Sequence, residues 1–306
     1  MVADEADWFH AVAFACAALG KGHALEIGVG LPNSVPATSG QVMLEWARRA
    51  EEGPFSSLGV VDRLLFDSYE PLSLLAAAAA ITRRIKLATM IVISPLRPTG
   101  LLAKEAATVD ALSGGRLVLG VAVGARHDDY RAARVSASGR GPRLTQQLLE
   151  MRSYWENDEM GPSETSDGGP TLLVGGASDA AFQRAANHAD GYVHGGGPPR
   201  AFARAVDRAR AAWADAGRPG RPLLWGQSYF ALGEEVVDEG REHMRSYYSF
   251  TGPFVEKIVD GLLTSAQDIA QLVRGYEQAG CDELVLLPAH SAPEQLDRLA
   301  EALAGL

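Results

Sequence analysis

Eight apolar runs, separated by stretches with helical spacing, constrain this chain more than any other feature. The runs are ALEIGVGLP, RLLFD, IKLATMIVI, RLVLGVAVG, TLLVGG, GYVHGG, LLWGQSYFAL and ELVLLP. The helical stretches cover residues 41–52, 71–82, 101–112, 142–155, 179–189, 198–216, 266–279 and 292–303. The block from Leu101 to Gly124 shows the pattern best: a helix, a Gly114-Gly115 turn, then an apolar strand ending in glycine. A strand without a polar face, fed by a helix, belongs to a parallel sheet covered on both sides. Eight such units predict an α/β fold, a single (β/α)8 TIM barrel, with an open doubly wound sheet as the alternative.

The 306 residues suit that reading, because such barrels need about 250 plus insertions. Residues 126–141 after strand 4 and 233–264 after strand 7 exceed ordinary loops. Insertions of this kind after barrel strands lie on the catalytic face, as lids or binding walls. Residues 1–22 read as a short N-terminal extension, helical by its apolar run Trp8–Leu19, and residues 23–306 as the barrel. That run is too short to span a bilayer. Asp4, Glu5 and Asp7 precede it, where a secretory signal needs basic residues.

A net charge of −10 argues against a nucleic-acid or anionic-membrane partner. The two cysteines, Cys16 and Cys281, form no CxxC and fit a reducing cytoplasm. His127, His194 and His290 sit at strand ends without metal-ligand spacing, so no metal is expected. Motifs for a Rossmann dinucleotide site, a P-loop, a zincin and a serine-hydrolase elbow are absent.

Ligands of such barrels sit at the strand C-terminal ends. The fifth run ends in Gly175, Gly176, Ala177 and Ser178 at a helix start. Free N–H groups and the helix dipole make this an anion site suited to phosphate; the plainer reading is a tight turn with Ser178 as N-cap. Gly195, Gly196 and Gly197 leave room beside it for a bulky cofactor. Arg97 is a candidate to neutralise a phosphate, or a surface arginine. His127 with Asp128 is a candidate acid/base pair, or a solvated loop. Asp67, Ser68 and Tyr69 follow the second run and, with His127, are the candidate catalytic residues.

The runs PLRPTGLLAKEAATVDALSGGRLVLGVAVGAR, TLLVGGAS and ADGYVHGG, with GPFSSLGVVDRLLFDSYEPLSLLAAAAAITRRIKLAT upstream, resemble the bacterial luciferase-like monooxygenase family over nearly the whole chain. The resemblance implies a barrel that uses reduced FMN and oxygen on a small organic substrate. The alternatives are hydride transfer with the deazaflavin coenzyme F-420, and a non-catalytic flavin-binding barrel. It places the cofactor ring over a bulge at Thr89, Met90 and Ile91, often with a non-prolyl cis peptide. Gly124 and Asp128 would flank the ring, and Gly175, Gly176 and Ser178 would hold the phosphate. It further implies a separate flavin reductase as partner and a homodimer as assembly. The family's frequent Asp-His pair after strand 2 reads Asp67-Ser68 here, and the glutamate of some deazaflavin enzymes is Ala125. Either Tyr69, His127 or His194 substitutes for the missing acid/base group, or the chemistry needs none.

Overall fold

The computed structural model describes residues 24–157, 160–162 and 165–306. The expected helical extension over residues 1–22 lies outside them. Eight strands close into one barrel in sequence order: β1 Glu26–Gly30, β2 Ser57–Val60, β3 Lys86–Ile93, β4 Leu117–Ala122, β5 Thr171–Gly175, β6 Gly191–Val193, β7 Leu223–Phe230 and β8 Glu283–Pro288. Every neighbouring pair is parallel, including β8 with β1. The outer helices are α1 Gly40–Glu52, α2 Pro71–Ile81, α3 Thr99–Ser113, α5 Arg140–Glu156, α6 Asp179–His188, α7 Pro199–Asp215, α10 Ala266–Gln278 and α11 Glu294–Ala304. Three shorter or inserted helices, α4 His127–Ala132, α8 Glu234–Tyr248 and α9 Val255–Val259, lie in the two long segments that follow β4 and β7.

The wholly apolar strands have a simple cause. In β4, Leu119 and Val121 join the core between sheet and helices, whereas Val118 packs inside the barrel. Both faces are buried, so neither tolerates a charge. The Gly114–Gly115 turn is real: both residues have left-handed φ, +71° and +81°, which a side chain would resist.

One expected strand is wrong. The second strand is Ser57–Val60, not the RLLFD run. Leu64 and Leu65 are half exposed, at 49% and 52%. Two leucines flanked by Arg63 and Asp67 cannot fill a strand buried on both faces. The SLGV segment can, and all four of its residues are buried. Gly59 leaves space that Val285 and Met90 occupy; a Cβ there would sit 2.7 Å from Val285. RLLFD is instead a loop at the barrel mouth.

The insertion after β7 is tied at both ends. Ala231 donates to the Leu263 carbonyl, and Leu263 N–H donates to Tyr229. Val236, Met244, Tyr247, Val259 and Leu262 of this segment share a core with Met90, Trp225 and Tyr229 of the barrel interior. The insertion is therefore packed down over the mouth.

Candidate active site

The end of β3 is irregular. Its pairing with β4 shifts register between Thr89 and Val92, and the Met90–Ile91 peptide is cis. Thr89 Oγ1 donates to the Gly120 carbonyl at 2.7 Å in a buried position. Gly120 is required at this crossing, because a side chain there would collide with the Thr89 carbonyl. Beyond β4, Gly124 has φ +67° and lies against Ile93.

A cavity of about 120 Å³ opens above this bulge. Met90, Ile91 and Gly124 line one side; Arg126, Gln227, Tyr229, Tyr247, Tyr248 and Phe250 line another. Asp62, which sequence reasoning did not single out, completes the floor. Its carboxylate accepts from Ile93 N–H at 2.8 Å and from Arg97 at 2.6 Å. Arg97 also pairs with Glu70. The guanidinium expected to neutralise a phosphate is thus held by two carboxylates of its own chain.

The lid brings aromatic and cationic groups together. Arg126 lies 4.4 Å from the ring centroids of both Tyr247 and Phe250, at distances that give cation–π attraction. Arg126 and Arg63 both donate to the Tyr247 carbonyl, at 3.2 and 3.1 Å. Asp128 reaches Arg63 at 3.4 Å. The Tyr248 hydroxyl donates to that of Tyr229 at 3.1 Å. Burial pushes Tyr229, Tyr247 and Tyr248 above the usual phenol range. These groups stay protonated at neutral pH and offer hydrogen bonds, not base catalysis. One turn earlier in α8, His243 is buried, with Nε2 3.5 Å from Ser34 Oγ and Nδ1 without a partner. Burial lowers its pKa to about 4, so the ring is neutral.

The ends of β5 and β6 form the second half of the site. Gly175 closes β5 and is buried; Gly176, Ala177 and Ser178 are exposed. Ser178 caps α6 by accepting from Ala181 N–H, and the first turn of the helix leaves N–H groups free for an anion. The loop is held from behind. Tyr192 donates to the Gly176 carbonyl at 2.8 Å, and Arg208 donates to that of Ala177 at 2.9 Å. Gly176 has φ +132°, and a Cβ there would sit 2.9 Å from that of Ala181. A Cβ on Gly195 would meet nothing within 4 Å, whereas Gly196, at φ +102°, backs onto the Gln227 carbonyl. Two arginines that the sequence reading passed over lie on the helices flanking β5. Arg184 of α6 donates to Thr145 and to the Gly141 carbonyl of α5. Arg140, at the start of α5, has a buried Nη1 with no partner. Neither has a carboxylate partner among the described residues.

The four residues expected to carry catalysis do not converge on the cavity. Asp67 is exposed and accepts from Ala37 N–H. Ser68 donates to the Arg63 carbonyl and Tyr69 to that of Thr38. These bonds stitch the loops after β1 and β2 together. The cause is the strand correction: the true end of β2 presents Val61, Asp62 and Arg63 to the mouth. His127 is exposed at the start of α4. His194 is packed edge-on against Phe202, and burial lowers its pKa. His290 pairs with Glu239. Among the described residues, no His/Cys/Asp/Glu cluster is arranged to hold a metal. A larger cavity, about 440 Å³, lies at the opposite end of the barrel. Its Lys86 is satisfied by Glu26 and Glu283, and it is remote from the bulge and the glycine loops. Among the described residues, no helix is long and apolar enough to cross a membrane.

Comparison with known proteins agrees with this fold. Residues 22–262 match the family model for luciferase-like monooxygenases. An uncharacterized protein of Mycobacterium tuberculosis is 34% identical over 161 residues, which cover 49% of this chain and 56% of that protein. The pyrimidine monooxygenase RutA of Rhizobium rhizogenes is 27% identical over 202 residues, covering 58% of this chain and 53% of RutA. The chain thus spans little more than half the length of these relatives. Among solved structures, an F420-dependent secondary alcohol dehydrogenase in complex with an F420-acetone adduct superposes with a TM-score of 0.78 at 17% identity. It covers 91% of this chain and 98% of that one, a likeness of fold.

Proposed function

The chain belongs to the luciferase-like monooxygenase family, and from that premise we propose that it is an oxidoreductase using reduced FMN and oxygen on a small organic substrate. The observation that carries this reading is the pairing, at one barrel mouth, of the β3 bulge with a bare glycine loop at a helix start. When bound, the flavin ring supplies the redox chemistry; the chain's residues do the rest. Thr89, Met90, Ile91 and Gly124 form the bed for the ring. Gly175, Gly176, Ala177 and Ser178 would take the phosphate on backbone N–H groups, and Arg140 and Arg184, on the helices flanking β5, would add positive charge. Gly195 and Gly196 leave the intervening space clear. Tyr247, Tyr248 and Phe250 form the wall facing that bed, and would keep water from the reacting atoms. The phenols of Tyr229 and Tyr248 hold protons at the wall, in place of the absent histidine. Asp128 acts on the site through Arg63.

A second reading, hydride transfer with coenzyme F-420, has its own support. Arg140, at the start of α5, suits a longer anionic tail, and the superposed alcohol dehydrogenase is in complex with an F420-acetone adduct. Mixing the protein with reduced FMN and then oxygen tests the first reading. The account expects flavin oxidation with kinetics distinct from free FMN. Oxidation at the free-flavin rate, with no complex formed, overturns it. A separate reductase and a homodimer complete the proposal.

A further inference from the structure

Arg126 is the most conspicuous group that the cofactor reading leaves unexplained. It is 8% exposed and lines the 120 Å³ cavity. One guanidinium nitrogen donates to the Tyr247 carbonyl, but its buried Nε has no acceptor among the described residues. No carboxylate among the described residues pairs with it. Its neighbours do not cancel its charge. Asp62, on the same cavity wall, is already bound by Arg97. Asp128 pairs with Arg63, a second largely buried cation whose Nε is also orphaned. Burying a guanidinium without a counter-charge is costly, and the aromatic faces of Tyr247 and Phe250 offset only part of that cost.

We propose that Arg126 is the recognition point for an anionic substrate, a small aromatic or conjugated carboxylate. This names a substrate class for the proposed oxidoreductase and rests on that reading. The carboxylate would receive the free N–H groups of Arg126, a planar donor fork matched to that group. Tyr229, Tyr247, Tyr248 and Phe250 would hold the flat body of the molecule. The cavity, about 120 Å³, is smaller than the roughly 150 Å³ that encloses benzene, so only part of the molecule would lie inside it. Gln227 adds a buried Oε1 without a partner on the same wall, so a ligand bearing a hydroxyl as well as a carboxylate satisfies both orphans.

The probes are 4-hydroxybenzoate and its neutral isostere, 4-hydroxybenzamide, titrated into the full-length protein by calorimetry. The expected result is binding of the benzoate and at least roughly tenfold weaker binding of the benzamide, the scale of a charge-assisted hydrogen bond. Arg126→Gln should weaken the benzoate roughly 10- to 100-fold and leave the benzamide unchanged. Arg126→Lys, which keeps the charge but not the fork, should fall between. Equal affinity for the two probes, no binding of either, or an unchanged Arg126→Gln overturns the proposal. FMN and F-420 titrations of Arg126→Gln separate the failures. If the variant binds the cofactor normally and the probe result is negative, the substrate assignment alone is wrong. If the wild type binds neither cofactor, the underlying reading is wrong. Cofactor affinity that falls with Arg126→Gln while probe binding holds assigns the charge to the cofactor, and overturns the proposal as well.

Discussion

His243 makes the packing of the lid dependent on pH. The ring sits in α8 between Ser34, Phe66 and Tyr247, is 6% exposed, and faces no carboxylate among the described residues. Burial lowers its pKa from 6.5 to about 4. The sign follows from which state binds the proton. Below pH 6.5 the unfolded chain takes up a proton that the folded chain refuses until pH falls near 4. Stability from this group is therefore complete above pH 6.5 and is lost as pH falls toward 4. At 1.36 kcal/mol per pKa unit, the loss between pH 7.5 and pH 5 is about 2 kcal/mol. Urea unfolding of the wild type and of His243→Phe at the two pH values isolates it. The phenylalanine keeps the contacts with Phe66 and Tyr247 and cannot titrate. The wild type should lose about 2 kcal/mol more than the variant on acidification. Equal losses would refute the argument, and a smaller wild-type loss would mean that the imidazole is solvated.

Three further substitutions probe other parts of the account. Gly176→Asp should abolish cofactor binding, because it adds a side chain at φ +132° and a negative charge beside the helix start; equilibrium dialysis with FMN reads this directly, and unchanged affinity would remove the phosphate assignment. Asp62→Asn leaves Arg97 with one half-exposed partner, Glu70, and should cost about 3 kcal/mol in chemical denaturation, the scale of a broken buried ion pair. Gly120→Ala drives a methyl into the Thr89 carbonyl and should destabilise by roughly 1–3 kcal/mol and weaken cofactor binding; a variant as stable as wild type would mean that the bulge yields freely.

The barrel was legible because parallel strands covered on both faces must be apolar throughout, and α3, its glycine turn and β4 follow one another without interruption. The second strand was misread because RLLFD and SLGV are both short apolar segments, and periodicity over four or five residues cannot separate them. That error placed Asp67, Ser68 and Tyr69 at the strand end, where the structure has Val61, Asp62 and Arg63, a few residues earlier in the same loop. The glycines ending β5 and β6 were readable as bare strand ends, because glycine carries no side chain to cover them. The lid was visible only as an overlong segment. Nothing in REHMRSYYSF marks Tyr247 and Tyr248 as facing the cavity, since that depends on how α8 lies across the mouth. Arg97 and Arg126 look alike in sequence; the difference is that, among the described residues, Arg97 meets two carboxylates and Arg126 meets none.

The central claim is that the β3 bulge and the β5 glycine loop together hold a flavin-type cofactor. Titrating the purified protein with FMN and, separately, with F-420, following cofactor fluorescence, tests it most directly. The account predicts saturable one-to-one binding of FMN, abolished in Gly176→Asp. Binding of F-420 alone would move the reading to hydride transfer on the same site, and binding of neither would contradict the account.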